Sequence, residues 1–409
     1  MSNSFKTFLK HTAKDFHNQA VNPPIVRAST IIFKSMGDIR KMQNKAKSDP
    51  TGGHFDYGRQ GTSTTHVLQK ILSKLEESYH TFLTPTGFGA VFLAIFSITR
   101  PGDEIIVADP VYSPTRILSQ DFLKEFNIKT TFYDPHDLKT LEKAITKKTK
   151  LVCIVSILGN PTNFNKIKSI CKKKKIPIFE DNCESLGAEI DGIKAGTVGI
   201  FSTHSFFFSH HISTIEGGMI VTDDFELYCI IKSLRAHGWT RDLPKNNPIT
   251  DIKKGFYEEY KFILPGYNVR STEINARIGL VQLEKLSSML KSREENLNIF
   301  RDYFLNDERF IIQKPYGYNS SFCFPMVIRK DNKLSKMKIY SALKKAKIQF
   351  RLITGGSFLK HQVKKYFNYS VYENLNNTNY IHNSGFFVGN TGQDLSKELY
   401  IFKKTLSKI

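Results

Sequence analysis

Short apolar runs that alternate with helical patterns constrain the fold of this chain more than any other feature. The runs 104–108, 151–156, 177–180, 199–202 and 219–222 are each short and apolar, and each is followed by polar or glycine residues. Residues 65–78 carry apolar side chains at the spacing of one helical face. Strand runs alternating with helices predict a mostly parallel sheet covered on both faces. The predicted fold class is therefore α/β.

Three regions follow from the distribution of apolar and turn-forming residues. Residues 1–60 are polar and contain Pro- and Gly-rich loop signals, which predicts an extended N-terminal arm. Residues 61–290 hold the strand runs and are predicted to form a large domain. A long helical pattern begins at Arg270, and residues 291–409 are predicted to form a smaller C-terminal α/β domain with strands near 310–313 and 322–328.

Composition excludes several classes of protein. No apolar run approaches the roughly 20 residues of a membrane span, and no secretory signal is visible in the first 14 residues. The five cysteines lack paired spacing, which argues against a zinc site and a disulfide framework. The net charge of +21 comes from lysines spread along the whole chain, which favours solvated helix faces over a nucleic-acid surface. We expect a cytoplasmic protein without a metal, nucleic-acid or membrane partner.

Two segments would suit a planar cofactor that carries a phosphate. Thr86, Gly87 and Phe88 precede an apolar helix, where backbone N–H groups would face a phosphate. Tyr112 follows the run 104–108, at the strand end that borders the ligand crevice of open α/β sheets, and would stack on a flat ring. A plain turn and a buried tyrosine are the alternatives.

Two further segments would supply charge and proton transfer. Asp181 ends an apolar run and would pair with a protonated ring nitrogen, keeping a pyridinium charged. Ser205 is a candidate phosphate ligand, and His210 or His211 is a candidate acid or base near neutral pH. A solvated strand-end carboxylate and a surface histidine pair are the alternatives.

Residues 151–409 resemble the sugar-modifying DegT/DnrJ/EryC1/StrS branch of the fold type I pyridoxal 5′-phosphate (PLP) superfamily. The motifs that carry the resemblance are 159–161, 180–185, 195–197, 210–218, 234–241, 265–270 and 385–390. Within that branch the histidine pair is similar to that of the 3-dehydratases, in which a histidine, here His210, stands at the lysine position of the aminotransferases. The resemblance implies the fold type I architecture, with a large PLP-binding domain and a small C-terminal domain.

The same resemblance implies a 3-dehydratase that acts on a nucleotide-linked 4-keto-6-deoxyhexose similar to GDP-4-keto-6-deoxymannose. Glutamate would convert PLP to pyridoxamine 5′-phosphate (PMP), and His210 would move the protons. Asp181 would pair with the pyridine nitrogen, and Ser205 with the amides near Gly87 would hold the phosphate. Asn268 would reach the phosphate of the neighbouring subunit, so that a homodimer would share its two active sites.

Residues 1–150 resemble a different group, the cystathionine β-lyase and γ-synthase enzymes of sulfur amino-acid metabolism. The motifs are 22–30, 57–62 and 111–115. This resemblance implies Tyr57 and Arg59 as a second set of cross-subunit phosphate ligands, with Tyr112 as the stacking ring. A carbon–sulfur lyase and a degenerate hybrid of the PLP fold are therefore alternative functions. His210 disfavours the lyase, because a histidine cannot form the Schiff base that a lysine makes with PLP.

Overall fold

A computed structural model describes residues 3–12, 24–251, 257–366, 369, 371 and 374–409. The chain divides into two compact units, one of residues 1–157 and 161–287 and the other of residues 158–160 and 288–409. No helix within the described ranges is long and apolar enough to cross a membrane. The cytoplasmic location stays a prediction.

The larger unit is built on a seven-stranded sheet. Its strands are β1 (His80–Thr84), β2 (Glu104–Ala108), β3 (Lys129–Tyr133), β4 (Thr149–Val155), β5 (Ile178–Asp181), β8 (Phe201–Ser205) and β9 (Gly218–Thr222), and β6 (Glu189–Ile190) with β7 (Ile193–Lys194) form a separate hairpin. The strand order is β1-β9-β8-β5-β4-β2-β3. β9 is antiparallel to both its neighbours, and the other neighbouring pairs are parallel. The predicted α/β class with a mostly parallel sheet is confirmed.

Helices cover both faces of this sheet. The helices α3 (Ser63–Leu75), α4 (Gly87–Ile98), α6 (Leu123–Glu125), α7 (Leu138–Ala144), α8 (Phe164–Lys174) and α9 (Phe225–Leu234) pack against its strands. The larger unit also contains α1 (Asn3–His11), α2 (Met36–Ser48), α5 (Ser113–Ile117) and the start of α10 (Glu273–Phe304). Ile105 and Val107 of β2 pack in the cluster with α4 and α9, whereas Ile106 and Ala108 pack in the cluster with α8. Alternate side chains of one strand point to opposite faces, so the apolar run reflects burial on both sides.

The smaller unit is a three-stranded antiparallel sheet with its own core. The sheet order is β10 (Phe310–Ile312), β11 (Cys323–Ile328) and β12 (Gly385–Gly389), with helices α11 (Lys336–Lys345), α12 (Asn376–Ser384) and α13 (Ser396–Leu406). Phe300 and Phe304 from the end of α10 pack with Phe324, Phe386 and Phe402. The strands predicted near 310–313 and 322–328 are confirmed as β10 and β11.

The prediction that residues 1–60 form an extended, loop-like arm is wrong for the segments that α1 and α2 occupy. Ser35 is the N-cap of α2, because its hydroxyl accepts a hydrogen bond from the backbone N–H of Asp38 at 3.2 Å. The pattern of serine followed three residues later by a carboxylate was the helix-start signal at this point. The end of the arm at residue 60 stays a prediction, and Asn22 and Pro23 of its first motif lie outside the described residues.

A carboxyl group and an imidazole are buried together in the larger unit. Oε2 of Glu76, just after α3, lies 3.5 Å from Nε2 of His204 in β8, and the two side chains are 5% and 1% exposed. Burial raises the pKa of Glu76 to about 8 and lowers the pKa of His204 to about 3. Both shifts favour the neutral form at pH 7, so we interpret the contact as a neutral pair rather than a salt bridge.

The unfolding free energy of the Glu76→Gln variant, relative to that of the parent, is expected to increase as the pH rises from 5 to 8. The pKa of Glu76 is raised on folding from its ordinary 4.5 to about 8, so the stability linked to its proton is complete below pH 4.5 and is lost as the pH rises through about 8. Glutamine has no such proton to lose. Thermal unfolding of both proteins between pH 5 and 9 measures the difference. Glu77→Gln, at the adjacent exposed position, is the control, and a parallel pH dependence in Glu76→Gln and the parent would refute the neutral pair.

Candidate active site

The carboxyl end of the large sheet brings the predicted segments together. Thr84 at the end of β1 pairs with Gly218 at the start of β9, and Gly218 also pairs with Ser205 at the end of β8. Asp181 ends the next strand, where it pairs with Thr203 of β8. This edge of an open α/β sheet is where ligands bind, so the loops that leave it form the candidate site.

The start of α4 lies directly against β8 and β9. Thr86 caps the helix, because its hydroxyl accepts from the N–H of Gly89 at 2.9 Å. A Cβ atom on Gly87 would lie 2.5 Å from Cβ of Ser205, and one on Gly218 would lie 2.7 Å from the backbone N of Gly87. The two glycines therefore permit the positive end of the helix and the Ser205 hydroxyl to face one anion. Phe88, the next residue of the first turn, is partly exposed.

Gly218→Ala is expected to destabilise the fold by about 1 to 3 kcal/mol, because the added methyl group would overlap backbone atoms of Thr86 and Gly87. Chemical denaturation of the cofactor-free protein measures this loss. Gly389→Ala at the end of β12 is the matched control, since a Cβ there would meet no atom within 4 Å. Equal unfolding free energies for the two variants would contradict the close approach at Gly218.

Asp181 is a buried carboxylate at the end of β5. It is 5% exposed, which excludes the alternative of a solvated strand-end carboxylate. Its Oδ1 accepts from the backbone N–H of Cys183 at 3.2 Å, and burial raises its pKa in spite of that hydrogen bond. Among the residues that the structure describes, no lysine, arginine or histidine pairs with it. A protonated ring nitrogen would supply the missing positive charge.

Tyr112 follows β2 at the same carboxyl edge of the sheet where Asp181 ends β5. It immediately precedes α5 and is 60% exposed, which excludes the alternative of a buried structural tyrosine. Burial of its hydroxyl raises the pKa of Tyr112, and the charges of Cys183, Glu184, Asp181 and Glu216 raise it further. The exposed ring is thus within electrostatic reach of Asp181 and free to contact a ligand.

Residues 206–217, the loop between β8 and β9, fold back on themselves. The N–H of Phe206 donates to the carbonyl of Gly217 at 2.9 Å, and the N–H of Thr214 donates to the carbonyl of Phe206 at 2.8 Å. The Phe206 side chain is 1% exposed. These contacts fix both ends of the loop beside Ser205.

The two histidines of this loop differ in exposure. His211 is 2% exposed, whereas His210 is half-buried and keeps surface that a ligand can reach. The N–H of His210 donates to the carbonyl of Phe207 at 3.0 Å, and the two rings meet edge to face at 6.2 Å between centroids. Of the pair, His210 is therefore the better placed for proton transfer to a bound molecule.

Asn275 of α10 also holds this loop, and sequence reasoning missed it. Its Nδ2 donates to the carbonyls of Thr214 at 2.6 Å and Glu216 at 2.8 Å. Ile215 between them has a φ of 75°, a left-handed conformation that is costly for a branched side chain. Asn275 thus stabilises a strained turn a few residues after His210. No local pattern indicates this role, because the contact joins residues about 60 positions apart.

Tyr57 and Arg59 lie in a different set of contacts. The Arg59 guanidinium lies 4.0 Å from the ring centroid of Trp239 and 5.2 Å from that of Tyr57. Its Nη2 is 3.8 Å from Oδ2 of Asp242, and the Tyr57 hydroxyl accepts from Ser29 at 3.3 Å. None of these contacts involves the strand ends of the site. Their role as phosphate ligands stays a prediction.

Asn268 is exposed and lies in an extended segment beside this second set. It forms an isolated antiparallel bridge with Ala236. The following Val269 reaches the first turn of α4, since a Cβ on Gly89 would lie 3.2 Å from its Cγ1. The reach of Asn268 to the cofactor of a neighbouring subunit stays a prediction.

Comparison with known proteins identifies this arrangement. Residues 70–396 match the sequence profile of the DegT/DnrJ/EryC1/StrS aminotransferase family. GDP-4-keto-6-deoxy-D-mannose 3-dehydratase of Escherichia coli O55:H7 is 40% identical over 326 residues, which cover 76% of this chain and 83% of the relative.

Two solved structures of such enzymes share the fold. A GDP-4-keto-6-deoxymannose-3-dehydratase with a trapped PLP-glutamate geminal diamine is 37% identical, with a TM-score of 0.77, and the match covers 84% of this chain and 92% of that chain. A histidine-to-asparagine mutant of such a dehydratase (ColD), with bound GDP-perosamine, is 33% identical, with a TM-score of 0.77, covering 93% and 100%. The predicted fold type I architecture is confirmed, and the likeness of residues 1–150 to the sulfur enzymes stays a prediction.

Proposed function

This chain belongs to the DegT/DnrJ/EryC1/StrS aminotransferase family, and on that premise we propose that it is a PLP- and PMP-dependent 3-dehydratase. The proposed substrate is a nucleotide-linked 4-keto-6-deoxyhexose, GDP-4-keto-6-deoxymannose or a close analogue, with glutamate as amino donor. One observation carries the proposal. The loop from Ser205 to Gly218 contains no lysine, and it carries His210 where the aminotransferases of the family keep one.

The described residues fit the cofactor. No cationic side chain among the described residues pairs with the buried Asp181, and a pyridinium would provide that charge. The first turn of α4 and the Ser205 hydroxyl, which Gly87 allows to lie close together, would hold the phosphate. The exposed ring of Tyr112 would cover the pyridine ring. PMP supplies an amine that condenses with the 4-keto group and a ring that accepts electrons.

His210 is the proposed acid and base. As a neutral imidazole it would take a proton from the carbon that bears the cofactor amine, and as an imidazolium it would assist departure of the C3 hydroxyl group. Asp181 would keep the ring nitrogen protonated. The C3 hydroxyl group would leave as water, and PMP would supply the two electrons by returning to PLP. Hydrolysis would then release the amine nitrogen as ammonia and leave a 3-deoxy-4-keto sugar.

The proposal includes a homodimer with shared active sites. Large apolar side chains beside the site are exposed in the single chain, and they include Phe88, Tyr112, Phe207, Phe208, Ile215 and Tyr267. Several large apolar side chains exposed in one region are typical of a protein interface. Asn268, and with it Tyr57 and Arg59, would then contact the cofactor phosphate of the partner subunit.

Incubation with PLP, glutamate and a panel of GDP-, dTDP- and UDP-linked 4-keto-6-deoxyhexoses tests the function. We expect ammonia release and a sugar without oxygen at C3 for at least one nucleotide. A 4-amino sugar that keeps its C3 hydroxyl would instead identify an aminotransferase. Pyruvate formed from cystathionine would identify the carbon–sulfur lyase, which the dehydratase relatives do not favour.

A further inference from the structure

A cavity of about 830 Å³ opens along the free edge of β1 in the larger unit. Side chains from α2, α3, β1 and α9 and from residues 240–258 line it, and Asp181, Ser205 and His210 do not. None of the residues to which we assign proton transfer or cofactor binding lines this cavity. Its volume is within the range of small-molecule sites.

Arg235 lines the cavity as a buried cation. It is 9% exposed, its Nη1 donates to the carbonyl of Leu83 at 3.3 Å, and its guanidinium lies 5.0 Å from the ring centroid of Phe82. Its Nε has no hydrogen-bond partner, and although the charge of Asp242 acts on it, no carboxylate lies within ion-pair distance of it in the described part of the chain. Burial lowers the pKa of Arg235 to about 10, so the side chain is still charged at pH 7. Such a charge is costly unless a ligand anion compensates it.

The rest of the lining is also cationic. Of the described side chains that line the cavity, three are carboxylates and six are Lys or Arg: Lys47, Lys70, Lys232, Arg235, Arg241 and Lys245. The carboxylates have other partners, since Asp56 accepts from Gln43, Asp242 accepts from Gln60, and Glu258 pairs with Lys261. The excess of positive charge therefore faces the cavity.

Lys232 and His66 lie beside Arg235. The pKa of His66 is lowered to about 3 by burial first and then by the charges of Lys232 and Arg235, which places the three side chains close together. Nζ of Lys232 donates to the hydroxyl of Tyr228 at 3.1 Å, which leaves it two further N–H groups. Nε2 of His66 has no hydrogen-bond partner among the described residues. Neutral imidazole and ammonium groups beside a guanidinium suit a phosphate.

Tyr79 provides an aromatic surface at the same cavity. Its side chain is 73% exposed, and it meets the His80 ring edge to face at 5.0 Å between centroids. One face of the Tyr79 ring is therefore open to solvent. An exposed ring near a cluster of cations is the combination that a nucleotide base and its phosphates require.

We propose that this cavity binds a nucleoside diphosphate, with Arg235 and Lys232 on the phosphates and Tyr79 against the base. The inference rests on the proposed function, because the proposed substrate carries a nucleoside diphosphate. A free nucleotide that binds as a separate ligand presents the same base and phosphates and would contact the same side chains. Inhibition kinetics distinguish the bound substrate from a separate nucleotide.

Calorimetric titration of the PLP-loaded protein with GDP, pyrophosphate and guanosine tests the site directly. We expect GDP and pyrophosphate to bind, and Lys232→Gln to weaken both by about tenfold, which corresponds to the loss of one charge-assisted hydrogen bond. Lys129→Gln is the matched control, because Lys129 is an exposed lysine on β3, the opposite edge strand of the sheet. It should change the affinity for GDP by less than about twofold.

Lys232 is the primary test because Arg235→Gln affects a buried residue, and that variant is used only if its circular dichroism matches the parent. Competitive inhibition by GDP against the nucleotide sugar would assign the cavity to the substrate, and non-competitive inhibition would assign it to a separate nucleotide. Failure of GDP to bind the parent, or equal affinities for the parent and Lys232→Gln, would overturn the site. If the site is refuted but dehydration is still observed, the proposed function stands. If GDP binds but no dehydration is detected, the site stands and the proposed function is refuted.

Discussion

The His210→Lys variant is expected to lose dehydration and to hold PLP covalently. His210 lies on the loop that α10 fixes through Asn275, and a lysine there would stand at the position that binds PLP in the aminotransferases of the family. General acid–base catalysis by one side chain is worth about 10²–10⁴-fold, so we expect the dehydration rate to fall by at least about a hundredfold. Borohydride reduction followed by mass spectrometry of the intact chain detects the covalent cofactor.

His210→Asn is the matched variant for this experiment. It removes the imidazole without adding an amine, so it should lose dehydration to the same extent and should not retain PLP after reduction and denaturation. If it keeps the parental rate, His210 is not the base. His211 is a poor substitute as a control, because it is 2% exposed and its replacement would disturb packing.

Asp181→Asn is expected to lower activity by at least about a hundredfold while leaving the cofactor-free protein as stable as the parent or more so. The carboxylate would no longer keep the ring nitrogen protonated, and loss of one such electrostatic contact commonly costs this much. The folded protein, however, gains from the change, because Asp181 is 5% exposed, burial raises its pKa, and asparagine is neutral. Turnover and thermal unfolding, measured on the same preparation, separate the two effects.

Glu180→Gln is the control for Asp181→Asn, since the neighbouring carboxylate is buried for a structural reason. Glu180 accepts hydrogen bonds from the backbone N–H groups of Gly196, Val198 and Gly199 at 2.8, 2.6 and 2.6 Å. Replacing it removes acceptor capacity from these groups and should lower the melting temperature. A lower melting temperature for cofactor-free Asp181→Asn would indicate that Asp181 has a structural role instead.

The sequence pattern predicted those strands whose apolar character comes from burial on both faces. β2 has the boundaries that the pattern predicts, because its residues alternate between two apolar clusters. β1 was missed because three of its five residues are polar, although all five are buried. Tertiary contacts explain this burial, since the His80 ring stacks on Tyr228 and Thr81 accepts from Ser73.

In the candidate site, too, some residues were predictable from the sequence and others were not. Asp181 and Ser205 were predictable because they follow strand runs whose ends meet at one edge of the sheet, and Gly87 was predictable because it precedes an apolar helix. The support that Asn275 gives to the loop 206–217 depends on contacts between distant segments, which no short pattern records. The same is true of the cationic cavity at β1. Only the folded chain brings these residues together.

Reduction of the PLP-loaded parent protein with borohydride tests the central claim most directly. After desalting, the protein should retain the absorbance of PLP, and after reduction and denaturation its mass should equal that of the unmodified chain, because the loop from Ser205 to Gly218 offers no lysine. A mass increase by one phosphopyridoxyl group, located on any lysine by peptide mapping, would contradict the account.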